Sequence, residues 1–265
     1  METITSTSNT QVRAVGALRR SARERAKQDL FIAEGLRWLR EVPGQQLERV
    51  YASESFARRH EPELMALPET KMIRVSDAVM EKMADTQTPQ GVLCLIRMVH
   101  YRPEDLLRAD VPSLCLALED LQDPGNLGTI FRSAEAAGVT GLLLSAGCVD
   151  PYNPKVVRST MGSLLRVPFC IASDFRSALR TWQAGGLTLY AAHLQGRADY
   201  TQEDYRRPSG FLIGNEGRGL TDETAQAADV YIRIPMCGRV ESLNASVAAS
   251  LLAYEAHRQR AAASL

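Results

Sequence analysis

The stretch Phe211–Leu220 (Phe-Leu-Ile-Gly-Asn-Glu-Gly-Arg-Gly-Leu) joins an apolar run to a glycine-rich loop that carries one carboxylate. The apolar run predicts a buried strand, and Gly214, Gly217 and Gly219 would let backbone amides approach a ligand closely. Glu216 then lies at the carboxyl end of a strand, where open α/β sheets bind ligands. A tight turn with a solvated glutamate explains the same residues equally well.

Two other segments could bring polar side chains to such a site. In a helix that begins near Asn126, residues 126, 129 and 132 would roughly share a side, so Asn126 and Arg132 could both face a ligand. Ser242 and Asn244 precede a long Ala-rich helix and could either cap it or line the site. We expect the loops at Gly214 and Ile234 to converge at the ends of adjacent strands. The alternatives are a surface charge at Arg132 and simple helix caps at Ser242 and Asn244.

Other kinds of site find less support in the sequence. The glycines near Asn126 form GxxG and not the dinucleotide-binding GxGxxG, and no GxSxG of a hydrolase occurs. The four histidines do not cluster with one another or with cysteines at zinc-ligand spacing, which predicts no metal. Five scattered cysteines without a CxxC pair predict reduced core thiols in a cytoplasmic protein. With no long apolar stretch and no leader, we expect neither membrane insertion nor secretion.

Charge is balanced over the 265 residues, with 31 Lys+Arg against 31 Asp+Glu, so the total does not predict a nucleic-acid partner. The first 40 residues, however, contain eight basic and four acidic side chains. Part of this excess lies on a predicted helix, Thr10–Gln28. Its charged face could bind phosphate or could simply be solvated; it carries Arg19, Arg20, Arg23 and Lys27.

Strand and helix patterns alternate along the chain and predict two α/β units. Residues 1–97 form a small α/β unit, the Pro-containing polar segment 98–112 a linker, and residues 113–265 a mainly parallel sheet with helices on both faces. The predicted strands are Phe31–Ala33, Arg49–Ala52, Met72–Val75, Gly91–Ile96, Ser113–Leu118, Gly141–Ser145, Leu187–Ala192, Gly210–Gly214 and Val230–Ile234. The further predicted helices are Leu36–Glu41, Asp77–Met83, Asn126–Ala137, Asn153–Leu165, Ser173–Gln183 and Asn244–Arg260.

Three segments together resemble the SpoU (TrmH-type) RNA ribose 2′-O-methyltransferases of the SPOUT superfamily. They are Asp123–Ala134, Ile213–Leu220, and Ile234–Met236 together with Ser242–Ala248. The order and spacing of these segments agree with the family, and so do their residue types. Residues 1–97 are similar to the substrate-binding domain that precedes the catalytic domain in many members. Ala245 departs from the usual Val, and Asn215 stands where small residues or Pro also occur.

The resemblance implies an α/β fold with a SPOUT-type parallel sheet and a C-terminal trefoil knot, preceded by a small α/β substrate-binding domain. It further implies a homodimer and S-adenosylmethionine as the cofactor, held by main chain at Gly214, Ile234 and Leu243. The substrate would be RNA, with ribosomal RNA favoured over tRNA by analogy with members that share the front domain. A tRNA 2′-O-methyltransferase, or a non-catalytic RNA-binding or ribosome-assembly factor that kept the fold, is the alternative.

Methyl transfer requires a ribose hydroxyl that is aligned with the methyl group and relieved of its proton. By resemblance, Arg132 is the residue implicated, and the side chains that shape the site around it are Asn126, Glu216, Ser242 and Asn244. Because arginine is a poor base, two roles stay open for Arg132. It could act in proton removal with the help of an RNA phosphate, or it could anchor that phosphate and stabilise developing negative charge.

Overall fold

A computed structural model of the chain describes residues 2–193, 196 and 198–263. The chain divides into two compact units. The first contains the residues up to Val99 together with Asp150–Arg158, and the second contains His100–Val149 and the residues from Ser159 onward. Within the described part of the chain, no helix is long and apolar enough to cross a membrane.

The first unit is built on a mixed sheet of five strands in the order β1-β4-β3-β5-β2. The pairs β1/β4 and β3/β4 are parallel, whereas β5 runs antiparallel to both β3 and β2. The strands are β1 Glu2–Ile4, β2 Leu30–Glu34, β3 Leu47–Ser53, β4 Met72–Val75 and β5 Val92–Arg97. The helices are α1 Thr10–Arg20, α2 Ala22–Gln28, α3 Leu36–Glu41, α4 Glu54–Arg59, α5 Glu61–Met65 and α6 Asp77–Met83.

The single helix predicted over Thr10–Gln28 is wrong, because the chain forms two helices that are separated at Ser21. Ser21 has an extended backbone, and its hydroxyl accepts a hydrogen bond from the N–H of Glu24 at 3.2 Å, so it caps a new helix. The buried guanidinium of Arg25 then donates to the carbonyl of Leu18 at 2.6 Å and pairs with Asp150. Local capping by a serine therefore overrides the continuous apolar periodicity.

The second unit contains a sheet of seven strands in the order β10-β12-β9-β11-β6-β7-β8, and every neighbouring pair is parallel. The predicted mainly parallel sheet is thus confirmed. Its strands are β6 Leu114–Leu118, β7 Gly141–Ser145, β8 Phe169–Ala172, β9 Thr188–Ala192, β10 Ala198–Asp199, β11 Ser209–Ile213 and β12 Val230–Arg233. The helices that complete the chain are α7 Pro124–Ala137, α8 Pro154–Thr160, α9 Phe175–Ala184, α10 Asp222–Ala225 and α11 Ala245–Ala263.

Helices cover the centre of this sheet on both faces, since every residue of β6, β7 and β11 is buried. On one face, Leu179 and Trp182 of α9 join a core cluster with alternate strand residues such as Cys115 and Leu212. Helices α7 and α11 pack against each other, and α11 also packs against β6 and β11. The start of α7 and the start of α11 are thereby brought to neighbouring places.

Several helix boundaries differ from the prediction, and those of α7 and α8 have a clear local cause. Helix α7 begins at Pro124, with the Asp123 carboxylate accepting the N–H of Asn126 at 2.7 Å, so Asn126 lies inside the first turn. The helix predicted over Asn153–Leu165 is wrong beyond Thr160. Met161 and Gly162 adopt left-handed backbone angles (φ 53° and 89°), which end α8.

All five cysteines are free. Burial raises the pKa of Cys94 and of Cys115 to about 12, so these thiols are unreactive. Cys170 is also buried and Cys148 is partly buried, but Cys237 is exposed, so the expectation of a core position is wrong for that residue.

Residues 100–112 of the segment predicted as a linker belong to the second unit. Leu106 is fully buried in that unit's core, and the indole N–H of Trp182 donates to the carbonyl of Pro103 at 3.0 Å.

Candidate functional site

The site is built where two neighbouring parallel strands end. Strands β6 and β11 pair along their whole length, with Leu118 opposite Ile213. The N–H of Glu119 donates to the carbonyl of Ile213 at 2.8 Å, so the segments that follow the two strands start side by side. After β6, residues 119–123 lead into α7, and after β11, residues 214–220 form the glycine-rich loop.

The glycine-rich loop closes on itself. The backbones of Asn215 and Gly219 exchange two hydrogen bonds, of 3.0 and 2.9 Å. A Cβ at Gly214 would lie 2.1 Å from the carbonyl carbon of Gly219 and 2.1 Å from the nitrogen of Leu220. Gly214 is therefore required by the loop's own folding, before any ligand is considered, whereas a Cβ at Gly217 would meet only Asn215 Oδ1 at 3.6 Å.

Glu216, at the tip of this loop, is bound to the segment that follows β6. Its carboxylate accepts the N–H of Gln122 at 3.0 Å, the N–H of Asp123 at 2.9 Å and the Nδ2 of Asn126 at 3.0 Å. Burial alone would raise the pKa of Glu216, but these hydrogen bonds outweigh it and hold the pKa below its usual value. The alternative of a freely solvated glutamate is wrong, and the ionised carboxylate acts as an acceptor that joins two loops.

Asn126 extends this connection to the third segment. Its Oδ1 accepts the Nδ2 of Asn244 at 2.9 Å. Asn244 also caps α11, because its own Oδ1 accepts the N–H of Ser246 at 2.9 Å and the hydroxyl of Ser246 at 2.7 Å. Capping and site formation are thus not alternatives for Asn244. A chain of three side chains, Glu216–Asn126–Asn244, links segments that are far apart in the sequence.

Arg132 lies on the exposed surface of α7, about 9 Å further along the helix axis than Asn126. Among the residues that the structure describes, none forms a hydrogen bond or ion pair with its guanidinium. The neighbouring Arg166, by contrast, pairs with Glu135. Arg132 is therefore a cation that no carboxylate of the described residues neutralises, and it is free to bind an external anion.

Ile234, Ser242 and Leu243 lie between β12 and α11. Strand β9 separates β12 from β11, so the expectation that the loops at Gly214 and Ile234 begin at adjacent strands is wrong. Strands β11 and β12 both pair parallel with β9, so the connection between them must cross β9 and return to the other end of the sheet. The short helix α10 lies in this connection. Ile234 and Leu243 are half-buried and Ser242 is exposed. No hydrogen bond within the described ranges joins the Ser242 side chain to the Glu216–Asn126–Asn244 chain.

Two residues of the site were missed in the sequence. The Glu119 side chain is buried, with the residue only 8% exposed, and it accepts the N–H and the hydroxyl of Thr221 at 2.8 Å each. Asp120 adopts a left-handed backbone (φ 51°), and its carbonyl accepts the Nδ2 of Asn215 at 2.7 Å. A Glu-Asp pair directly after a buried strand was the available signal.

The described residues contain no group of three or more His, Cys, Asp or Glu side chains that could hold a metal ion. The carboxylates of Glu119 and Glu216 instead accept hydrogen bonds from other residues of the protein. Arg132 is exposed to solvent. The arrangement can orient polar groups and present one cation.

Comparison with known proteins relates both units to one class of enzyme. The model of the SpoU rRNA Methylase family matches residues 113–254, and that of the MRM3-like substrate binding domain matches residues 9–94. A Synechocystis protein described as an uncharacterized tRNA/rRNA methyltransferase is 41% identical over 192 residues, which cover 72% of this chain and 68% of that protein.

Two further relatives have more specific descriptions. The 23S rRNA (guanosine(2553)-2′-O)-methyltransferase RlmP of Bacillus subtilis is 32% identical over 68% of this chain and 70% of its own length. The crystal structure of an AdoMet-bound rRNA methyltransferase from Sinorhizobium meliloti is similar over 97% of both chains, with a TM-score of 0.86 and 30% identity.

Proposed function

Because the chain belongs to the SpoU rRNA methylase family, we propose that it transfers a methyl group from S-adenosylmethionine to a ribose 2′-hydroxyl of RNA. The observation that carries this proposal is the Glu216–Asn126–Asn244 chain, which joins the three segments of the family resemblance at one edge of the sheet. The B. subtilis relative is named as a 2′-O-methyltransferase, and the S. meliloti relative was solved with AdoMet. Both act on rRNA by their descriptions, which favours ribosomal RNA here.

The test is methyl transfer by the purified chain. We expect tritium from labelled S-adenosylmethionine to enter ribosomal RNA and to stay out of tRNA. Labelling of tRNA alone would mean that the substrate is tRNA and not ribosomal RNA. If the chain bound RNA but not S-adenosylmethionine, it would be a non-catalytic RNA-binding or assembly factor.

The three residues proposed to hold the cofactor offer both polar and apolar surface, as a nucleoside would require. The half-exposed main chain of Gly214 offers polar contacts, and the half-exposed side chains of Ile234 and Leu243 offer apolar surface. When bound, the sulfonium supplies the methyl group, so the protein needs no nucleophile of its own. Asn126 and Asn244, held by Glu216, would orient polar groups of the ribose, and Ser242 would add an exposed hydroxyl beside them.

For Arg132 we propose the anchoring role. Its guanidinium has no carboxylate partner within the described ranges, so the full charge is available to an RNA phosphate. A phosphate held there would fix the ribose relative to the methyl group. The same cation would stabilise the negative charge that develops on the 2′-oxygen as its proton passes to solvent water.

Gly214→Ala is expected to weaken S-adenosylmethionine binding by at least about tenfold, because its Cβ would displace the backbone at Gly219 and Leu220. Gly217→Ala is the matched control, since a Cβ there has room, and its affinity should change by less than about twofold. Calorimetric titration of both variants measures the difference. Equal affinities would mean that this loop does not bind the cofactor.

The domain division at 1–97, 98–112 and 113–265 stays a prediction, and we propose that the first unit binds the RNA substrate. Its exposed side chains of Arg20, Arg23 and Lys27 have no hydrogen-bond or ion-pair partner among the described residues. Arg19, which was expected to act with them, instead donates to the main-chain carbonyls of Met83 and Ala84 at the end of α6. Three uncompensated cations within eight residues of α1 and α2 suit a phosphate backbone.

Replacing Arg20, Arg23 and Lys27 together with Gln is expected to lower RNA affinity at low salt by at least about tenfold. The negative slope of log affinity against log salt concentration should become shallower by about three. The control is the triple Gln variant of three arginines in the same unit that already pair with carboxylates: Arg40 with Glu63, Arg58 with Glu54 and Arg97 with Glu48. If both triple variants lose the same affinity, the unpaired cations are not the RNA contact.

We propose further that the protein is a homodimer with a C-terminal knot and works in the cytoplasm, where it would meet its RNA. Val247, Leu251 and Tyr254 recur at helical spacing on α11 and are 36–47% exposed, which suits a second copy of the chain. The main chain at Gly196 passes so close to β12 that a Cβ would lie 2.4 Å from the carbonyl carbon of Ile232, which supports a tight chain crossing. A monomer in sedimentation velocity would contradict the dimer.

A further inference from the structure

Glu119 is a buried carboxylate that the proposed reaction does not use. It is 8% exposed and accepts hydrogen bonds from the N–H of Thr221, the hydroxyl of Thr221 and the hydroxyl of Thr224. All three donors lie more than a hundred residues away in the sequence. No Lys or Arg among the described residues pairs with Glu119, so these neutral donors alone compensate its charge.

These hydrogen bonds connect the end of β6 with the exit of the glycine-rich loop. Thr221 follows Leu220 directly, and Leu220 lies against Gly214. Glu216 makes the complementary connection, from the tip of the same loop back to the segment after β6. Two carboxylates that reach in opposite directions therefore fix the loop at its tip and at its exit.

Helix capping does not account for Glu119. Thr221 already caps α10 with its own side chain, which accepts the N–H of Thr224 at 3.2 Å. The cap of α10 is thus complete within the helix. The additional bonds to Glu119 determine where the loop exit lies relative to β6.

We propose that Glu119 is a positioning residue for cofactor binding: by holding Thr221 it fixes residues 214–220 in the conformation that receives S-adenosylmethionine. This inference rests on the proposed function. Glu119 touches neither RNA nor the reacting atoms in this account. Its loss should therefore change the affinity for the cofactor and leave the chemical step at saturating cofactor intact.

Glu119→Gln is the direct test, because it preserves volume but turns an NH₂ donor toward the donors of Thr221. We expect the dissociation constant for S-adenosylmethionine, measured by calorimetry, to rise about tenfold. The KM for the cofactor should rise in parallel, whereas kcat at saturating cofactor and the RNA affinity of the cofactor-free protein should change by less than about twofold.

Thr224→Val is a milder variant that keeps the test usable if Glu119→Gln fails to fold. It removes one of the three hydrogen bonds that Glu119 accepts, and we expect the dissociation constant for S-adenosylmethionine to rise about threefold. Glu255→Gln is the matched control, because Glu255 is also 8% exposed but accepts from Arg258 and Gln259 on its own helix. Its cofactor affinity should equal that of the unsubstituted protein.

Unchanged cofactor affinity in Glu119→Gln, or a loss of kcat with affinity retained, would overturn the positioning role. A parallel loss of cofactor affinity in Glu255→Gln would do the same, because the effect would then be one of general stability. If the unsubstituted chain itself fails to bind S-adenosylmethionine, the proposed function fails first, so the two failures are distinguishable.

Discussion

Arg132→Ala is expected to bind S-adenosylmethionine with unchanged affinity and to lose at least about a hundredfold of its methyl-transfer rate. Affinity is retained because the guanidinium lies on the exposed face of α7 and bonds to no described residue of the proposed cofactor loops. The rate falls because the variant lacks the cation that would hold a phosphate and stabilise charge on the 2′-oxygen. Calorimetry with the cofactor and tritiated-methyl transfer to RNA measure the two quantities.

Arg176→Ala is the matched control, since Arg176 is an exposed arginine of the same unit whose charge is already paired with Glu223. It should transfer methyl groups at the normal rate.

Arg132→Lys separates the two possible roles. A lysine retains the charge and should recover part of the rate without a new pH dependence if anchoring is the role. A rate that rises with pH as the lysine loses its proton would indicate proton removal instead. Normal transfer by Arg132→Ala would contradict both roles.

Asn126→Asp is expected to lower methyl transfer by at least about a hundredfold near pH 8, with partial recovery as the pH is lowered. The substitution places a second carboxylate about 3 Å from Glu216, where the structure has an amide donor at 3.0 Å. Ionisation of both carboxyl groups at this distance is unfavourable because the two negative charges repel each other. The pKa at which the pair loses its second proton is therefore raised. Below that pKa one protonated carboxyl can donate to the other and restore the connection.

The unsubstituted protein should not show this recovery. Burial opposes the charged form of Glu216, but the bonds from Asn126, Asp123 and Gln122 hold its pKa below the usual value. The stability that this lowering contributes is fully present above the unfolded pKa of about 4.3 and is lost only as the pH falls through the lower folded pKa. Activity profiles of the unsubstituted protein, Asn126→Asp and Asn126→Ala distinguish the cases. Asn126→Ala, which adds no charge, should be impaired equally at every pH, and the same recovery in it would contradict the account.

Local signals in the sequence predicted more of this structure than long-range ones. The loop at Gly214 and the helix start near Asn126 follow from glycine spacing and apolar periodicity, which are short-range properties. The break at Ser21 also had a local signal, a serine three residues before Glu24, that the apolar periodicity concealed. Met161 could not be foreseen in the same way, because a left-handed backbone at a methionine depends on its surroundings.

The partners of Glu216 and Glu119 could not be predicted from spacing. Their hydrogen bonds depend on β6 and β11 being neighbours, although β7, β8, β9 and β10 intervene in the chain. Strand order in a parallel sheet follows from how crossover connections pack, which no short segment encodes. For the same reason, the sequence suggested a solvated carboxylate at Glu216 as readily as a bound one. Helical spacing left the place of Asn126 in the site of Glu216 open, and the family resemblance assigned both residues to one site.

The most direct measurement of the central claim is a map of 2′-O-methylation in ribosomal RNA from cells that lack this protein. We predict that one ribose methylation disappears, that the unsubstituted chain restores it, and that the Arg132→Ala variant does not. A complete methylation map in the absence of the protein, or full restoration by Arg132→Ala, would contradict the account.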